Sequence, residues 1–260
     1  LLDKKSFHKL PKKVYSIFHF ASEKNTFVDK SKMNQQFINN AIMCLNIAEY
    51  AHNSSVKNLY FSSSVYVYSN NKNELFHEDS CSNPIEILGI SKLSSELIFR
   101  SWGSFSNIKV FCLRLFTVYG EGSSDSQFIP FAINKIKKSN NIVEFNNGNI
   151  KRDFIYISDA INIILSCFVN RNKFTSKFNK INIATGKSYK IKDLIKIISK
   201  NLKFKGKVKY LHKKNLRIGD IDHKANISVI KNKLNYKNFM TLNDGIKSII
   251  VHKPKSNKHH

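Results

Sequence analysis

The chain has no paired cysteines. Its four, Cys44, Cys81, Cys112 and Cys167, stand far apart and form no Cys-x-x-Cys pair. That spacing suits a reduced, cytoplasmic protein without a metal cluster. No run approaches about 18 apolar residues, so no membrane span is expected. Between Leu1 and Lys13 there is neither a small-residue cleavage site nor an apolar stretch of signal-peptide length. Negative charge is scarce, with 18 acidic against 43 basic residues and a formal charge of +25. A field of that size attracts polyanions without a specific site. Arginine is scarcer still: only Arg100, Arg114, Arg152, Arg171 and Arg217 among the basic residues, the rest being lysines spread from end to end. No element clusters base-reading arginines with stacking aromatics, so no specific nucleic-acid contact is expected. A basic polyanion-binding protein stays open as one reading.

What is present is a core. At 260 residues and 42% hydrophobic content the chain can bury one large or two small domains. Val14 to Phe20 has strand length, and from Met33 to Ala51 apolar residues fall at helical spacing. Leu59 to Val67 reads as a second strand ending in a serine-rich turn. Asn83 and Pro84 start a helix running to about Trp102, and Ile108 to Phe116 is a third buried strand. This alternation predicts an α/β fold, a doubly wound parallel sheet with helices on both faces. After Gly120 the pattern loosens. Helices are expected at Ile129 to Lys138, Asp159 to Val169 and Ile191 to Lys203, strands at Ile142 to Phe145 and Ile181 to Ala184, and a turn with two short helical segments from Arg217 to Val251. Residues 1–120 are expected to form a partial dinucleotide-binding domain. Residues 121–260 are expected to form mainly a smaller substrate lobe interleaved with the last strands.

Several stretches carry chemistry. Ser62-Ser63-Ser64 closes the second strand, and a hydroxyl at a strand's carboxyl end faces the crevice where such sheets bind ligands. The alternative is a turn satisfying its own backbone. Leu88 and Lys92 stand one helical turn apart and share a face. Arg114-Leu-Phe-Thr117-Val-Tyr-Gly120, Asn146-Asn-Gly-Asn-Ile-Lys-Arg152-Asp-Phe-Ile-Tyr-Ile-Ser-Asp159 and Arg217-Ile-Gly-Asp220 contain three of the five arginines. A planar guanidinium fits phosphate in a way that lysine cannot, with a salt bridge as the alternative for each one.

Together these motifs resemble the extended short-chain dehydrogenase/reductase family, the NAD-dependent nucleotide-sugar epimerases and dehydratases, from about Val14 to Val251. Phe116 to Gly120, Phe145 to Gly148 and Lys151 to Phe154 are similar to UDP-glucuronate 4-epimerases, and Ser62 to Tyr68 to UDP-galactose 4-epimerases. The resemblance implies NAD as cofactor, a UDP-sugar as substrate and a homodimer. It implies that Phe20, Ala21, Ser22, Asn40 and Ser62 lie along the cofactor and that Lys92 holds its ribose. Ser64 corresponds to the catalytic hydroxyl, and Leu88 stands where the family has its general-base tyrosine. Thr117, Arg152, Arg217 and Asp220 correspond to the nucleotide-diphosphate site, and no metal is implied. The family's dehydratases place an Asp-Glu pair after the hydroxyl; here Val65-Tyr66 follows, so epimerisation is favoured.

Two departures stand out. Nothing before Val14 reads as strand, glycine turn and helix, so the phosphate-cradling loop and roughly the first three strands of the family pattern are not found. That would leave the strand at Val14 to Phe20 as an apolar sheet edge. Leu88 in turn cannot move a proton. Glu86, Tyr66 and Tyr68 are conceivable substitutes, though Glu86 is two residues off the required helical face and the tyrosines suit packing. An epimerase-type protein lacking its acid/base and a non-catalytic nucleotide-sugar-binding module are therefore both expected readings.

Overall fold

A computed structural model describes residues 1–23, 30–68, 75–211 and 222–251. The chain divides into two compact units, one comprising Leu1–Asn71, Phe76–Leu115 and Val169–Asn182, the other Lys72–Leu75, Phe116–Phe168 and Ile183–His260.

The first unit is built on strand-helix alternation. Strand β1 (Ser16–His19) leads to helix α1 (Lys30–Asn53), β2 (Asn58–Ser64), α2 (Ile87–Ser106) and β3 (Lys109–Leu115). With β7 (Phe178–Ile183) the strands form one sheet in the order β1-β2-β3-β7. β1 pairs with β2, and β2 with β3, in parallel. One sheet face presents Leu59, Phe61, Val110 and Cys112 to Cys44, Ile47 and Ala48 of α1 and Phe99 of α2, a buried cluster. Each large side chain so buried contributes roughly 2 kcal/mol. The other face carries an aromatic ladder, Phe18 on Tyr60 at 4.5 Å and Tyr60 on Phe111 at 4.6 Å. β1 is the sheet's edge among the described residues, and Phe18 is 40% exposed.

Two boundaries differ from the sequence pattern for identifiable reasons. The second strand stops at Ser64 because Val65–Val67 turn into one 3-10 turn, with the Ser64 side chain accepting from the Tyr66 N–H. Helix α2 starts at Ile87 rather than at Asn83 and Pro84, since Glu86 is still extended. Its first turn lies directly against that 3-10 turn: a Cβ at Gly89 would collide with the Tyr66 carbonyl oxygen and press on Pro84. Glycine is thus required by close approach, and α2 ends at Asn107 in the left-handed conformation that asparagine tolerates.

The second unit holds β4 (Thr117–Tyr119), α3 (Phe128–Lys137), β5 (Ile142–Asn146), β6 (Lys151–Tyr156) and α4 (Ile157–Val169). Then come β8 (Ser188–Lys190), α5 (Ile191–Asn201), β9 (Lys207–Leu211), α6 (Ser228–Leu234) and α7 (Leu242–Val251). β4, β6 and β8 form one sheet, β5 and β9 another. Its core gathers Ile129, Ile133 and Ile136 of α3, Val143 and Phe145 of β5, Leu194, Ile195 and Ile198 of α5, and Ile246 of α7.

Candidate functional site

Lys92 comes from the second turn of α2 and is 6% exposed. Its ammonium donates to the Ser62 carbonyl oxygen at 2.6 Å and lies 5.1 Å from the centre of the Phe61 ring. The lysine thus docks on the last turns of β2, where the helix and the strand end converge. Burial lowers its pKa to about 8. An ammonium has three donors, and Ser62 is the acceptor found for it among the described residues. Leu88 is half-buried in the first turn of α2, one helical turn before Lys92. Its hydrocarbon side chain has no proton to give. His19, at the end of β1, is buried with Nε2 3.7 Å from Cys44 Sγ. Its burial, and then the Lys92 charge, lower its pKa to about 4, so it is neutral at pH 7.

A second set of contacts joins the cofactor-side residues. The Asn40 side-chain oxygen of α1 accepts from the Glu23 N–H at 2.8 Å and from the Ser22 hydroxyl at 3.3 Å. Its amide donates to the Glu23 carbonyl at 3.1 Å and to Ser91 Oγ at 3.3 Å. Ser91 in turn donates to the Leu88 carbonyl at 2.9 Å. Asn40 therefore ties the segment after β1 to α1 and to the first turn of α2. Ser22, Asn40, Ser62, Leu88 and Lys92 are brought into one neighbourhood, with Phe20 and Ala21 exposed on the same segment as Ser22. Ser64 follows at the strand end, partly buried, its oxygen engaged with the Tyr66 N–H.

Arg114 is not a phosphate ligand. It is 2% exposed and clamps Glu96 with Nε to Oε1 at 3.0 Å and a terminal nitrogen to Oε2 at 2.8 Å. The Glu96 carboxylate also accepts from Ser63 Oγ at 2.5 Å. Burial pushes the Glu96 carboxyl up, but the Arg114 hydrogen bonds and charge, with Ser63, outweigh it and hold it below the usual range. The guanidinium also lies over the Tyr68 ring at 4.6 Å. Tyr68 donates to Asn182 Oδ1 at 2.5 Å, and burial first of all drives its pKa far up, which removes it as a substitute base. Glu96 went unread in the sequence, although it continues the Leu88–Lys92 face by one further turn.

In the second unit, Thr117 pairs with Phe154 across β4 and β6. Arg152, two residues before Phe154, emerges on the same sheet face as Thr117. Next to it Asp153 is fully buried and accepts from Thr185 N and Oγ1 at 2.9 and 2.7 Å and from Gly186 N at 2.8 Å. Burial pushes its pKa up to about 6 against those donors. The segment at Asp222 to Ala225 docks on β6: Lys151 N donates to Asp222 Oδ1 at 2.8 Å, and His223 N to the Lys151 carbonyl at 3.1 Å. His223 is buried edge-on to Phe116 and kept neutral by that burial and by the charge of Arg152. Arg217 and Asp220 lie outside the described residues. Among the described residues no cluster of three His, Cys, Asp or Glu side chains could hold a metal ion.

Residues 1–184 match the model of the NAD dependent epimerase/dehydratase family. An uncharacterized protein of Methanocaldococcus jannaschii is 34% identical over 211 residues, which is 80% of this chain and 62% of that protein. UDP-glucuronate 4-epimerase 4 of Arabidopsis thaliana is 30% identical over 202 residues, 73% of this chain and 46% of that protein. This chain thus spans less than two thirds of either relative's length. Among solved structures, a UDP-N-acetylglucosamine 4-epimerase from Methanobrevibacter ruminantium, in complex with UDP-N-acetylmuramic acid, superposes with a TM-score of 0.75. The two are 28% identical, and the match covers 91% of this chain and 76% of that one.

Proposed function

Because the chain belongs to the NAD dependent epimerase/dehydratase family, we propose that it binds NAD and a UDP-sugar at a site built for 4-epimerisation of a UDP-hexose or UDP-hexuronate. The carrying observation is Lys92, a buried ammonium fixed on the end of β2, with Leu88 one turn before it. The donor set fits the nicotinamide-ribose end of NAD: an ammonium with protons beyond the one given to Ser62, and beside it the segment that Asn40 holds. Bound NAD supplies the acceptor for a hydride from C4 of the sugar and the donor for its return. Lys92 holds the ribose hydroxyls and places positive charge beside the reacting carbon. Ser64 offers its hydroxyl proton to the sugar oxygen; resemblance to the family's motifs assigns Thr117 and Arg152, of the second unit, to the diphosphate. What Leu88 withholds is a group to take the C4 hydroxyl proton, so the chain turns over slowly or not at all.

Val65-Tyr66 after Ser64 provides no acid pair for water elimination, which supports epimerisation over dehydration. A homodimer through α1 and α2 completes the reading. Ile38, Ile42 and Leu45 of α1 and Ile90 and Leu97 of α2 are apolar and exposed, and a second copy would bury them.

Leu88→Tyr is the test. In the presence of NAD it should raise conversion of the UDP-sugar to its 4-epimer by about 10²- to 10⁴-fold, the usual worth of a positioned acid/base. If Leu88→Tyr binds both ligands in calorimetry and gains no turnover, the second reading stands, a non-catalytic nucleotide-sugar-binding protein, which Leu88 itself favours. Failure of the native chain to bind either ligand defeats both.

A further inference from the structure

We propose that Glu96, gripped by Arg114, is a positioning residue: it sets helix α2 on strand β2 so that the Lys92 ammonium meets the Ser62 carbonyl oxygen. Ser63 and Arg114 stand directly opposite each other in the parallel register of β2 and β3, and both side chains reach the same carboxylate. Glu96 Oε1 accepts from Ser63 Oγ at 2.5 Å and from Arg114 Nε at 3.0 Å, and Oε2 from a terminal nitrogen of the guanidinium at 2.8 Å. Donors from two strands thus fix the carboxylate in place and in orientation. One helical turn earlier, on the same face of α2, Lys92 donates to the carbonyl of Ser62, the residue before Ser63. Two successive turns of α2 therefore hold two successive residues of β2. The far side of the guanidinium is tied as well, to the Glu78 carbonyl at 2.9 Å, to Ser82 Oγ at 3.4 Å and over the Tyr68 ring at 4.6 Å. Arg114 so held cannot follow the helix if the helix shifts.

Stability alone does not account for this cluster. Ser63, Glu96 and Arg114 are each at most 3% exposed. An ion pair buried that deeply returns in attraction about what it loses in desolvation, and apolar side chains of like volume often serve as well. What apolar side chains lack is direction. Leucine against methionine tolerates a slide or rotation of the helix, whereas a two-pronged contact is lost within about 1 Å. The Lys92 bond at 2.6 Å has the same tolerance, and without it the ammonium loses its one acceptor among the described residues. The hold of Lys92 on a nicotinamide ribose rests on the proposed function; its placement on Ser62 does not.

The titration of Lys92 tests the positioning role. It is followed by nuclear magnetic resonance in the full chain with labelled lysine ε-carbons and assigned with Lys92→Met. In the native chain the midpoint is expected at about 8. Glu96→Leu/Arg114→Met should shift it by at least about one unit, since the ammonium loses its acceptor or escapes to water. NAD affinity in calorimetry should fall at least about tenfold in the same variant. Ile47→Val removes a methyl group from the core of the same unit and should move neither reading, because a modest loss of stability leaves the folded site intact. Should the double variant lose the native far-ultraviolet circular dichroism spectrum, Arg114→Lys takes its place: it keeps the charge, cannot span both oxygens and should shift the midpoint likewise. An unchanged midpoint in the folded variant, or an equal shift in Ile47→Val, overturns the positioning role. If the midpoint shifts as expected but the native chain binds no NAD, or the variant binds it as tightly, the proposed role of Lys92 toward NAD fails and the positioning role stands.

Discussion

Removing one carboxylate from the first unit should cost more than removing the whole ion pair. Glu96 and Arg114 are 3% and 2% exposed, and the two-pronged contact between them is joined by Ser63. Glu96→Ala deletes both prongs and leaves the guanidinium with the Glu78 carbonyl at 2.9 Å and Ser82 Oγ at 3.4 Å. A buried charge stripped of its counter-ion costs about 3–5 kcal/mol, several times a surface pair. The double variant Glu96→Leu/Arg114→Met leaves no orphaned charge but takes hydrogen-bond partners from the Glu78 carbonyl, Ser63 Oγ and Ser82 Oγ. It should cost about 1–2 kcal/mol. The single tryptophan, Trp102, lies on α2 with its ring 6.1 Å from His52, so its fluorescence during urea unfolding reports on this unit. The pH dependence has a definite sign. The folded Glu96 carboxyl is held below the usual range, so its stabilisation is complete above the unfolded pKa of about 4.3 and is lost as pH falls through the folded value. Glu96→Gln should therefore flatten the acid limb below about pH 4.3. A cost for Glu96→Ala below about 1 kcal/mol, or a double variant worse than the single one, would refute the account of a desolvated pair.

Lys92→Met separates stability from binding. Burial depresses the lysine's pKa from 10.5 to about 8, so the unfolded chain holds the proton more tightly and the charged side chain opposes folding at pH 7. The substitution should leave stability unchanged or raise it by about 1–3 kcal/mol after loss of the Ser62 bond, while NAD affinity measured by calorimetry falls at least about tenfold. Destabilisation with NAD binding intact would contradict the assignment. His19 predicts a different acid limb. Its folded pKa of about 4 is below the unfolded 6.5, so the unfolded chain takes up the proton first and stability is lost as pH falls from 6.5 toward 4. That loss should be on the order of 3 kcal/mol and be absent in His19→Phe, as read by urea midpoints at pH 7 and pH 4.5; parallel curves would exclude it.

The crossover elements of the first unit were legible because their burial imposes a period. β2 is apolar on both faces, and α1 repeats Cys44, Ile47, Ala48 and Ala51 toward the sheet. The same pattern hid a distinction. Ile38, Ile42 and Leu45 share that helix at equally good spacing yet are exposed. Periodicity counts apolar positions, but it does not say which stripe the sheet takes. Strands β4, β6, β8 and β9 were not legible. Lys207 and Lys209 mask an alternation whose buried half is only Val208 and Tyr210. Contacts distant in sequence were beyond reach for a more basic reason. Asn40 meets Ser91 across 51 positions, and Glu96 meets Arg114 across 18 from another element. The rarity of arginine signalled that a planar fork was needed at position 114, but rarity cannot distinguish a phosphate from a carboxylate.

Leu88 and Lys92 gain their meaning from the same comparison of what packing explains. A half-buried leucine in the first turn of a helix needs no further cause, for it packs as leucines do. A buried ammonium with a carbonyl acceptor and a lowered pKa is different. It opposes folding where it stands, and methionine would fill the volume without the charge. The chain thus carries at one end of this pair a residue that stability accounts for, and at the other end one that it does not. Under the proposed function a bound ribose would supply the missing favourable term for Lys92, by accepting the hydrogen bonds that the Ser62 carbonyl leaves unmade. Nothing comparable acts at Leu88. The two positions therefore agree with the proposed function, in which Lys92 would hold a nucleotide and Leu88 would offer no acceptor for a proton.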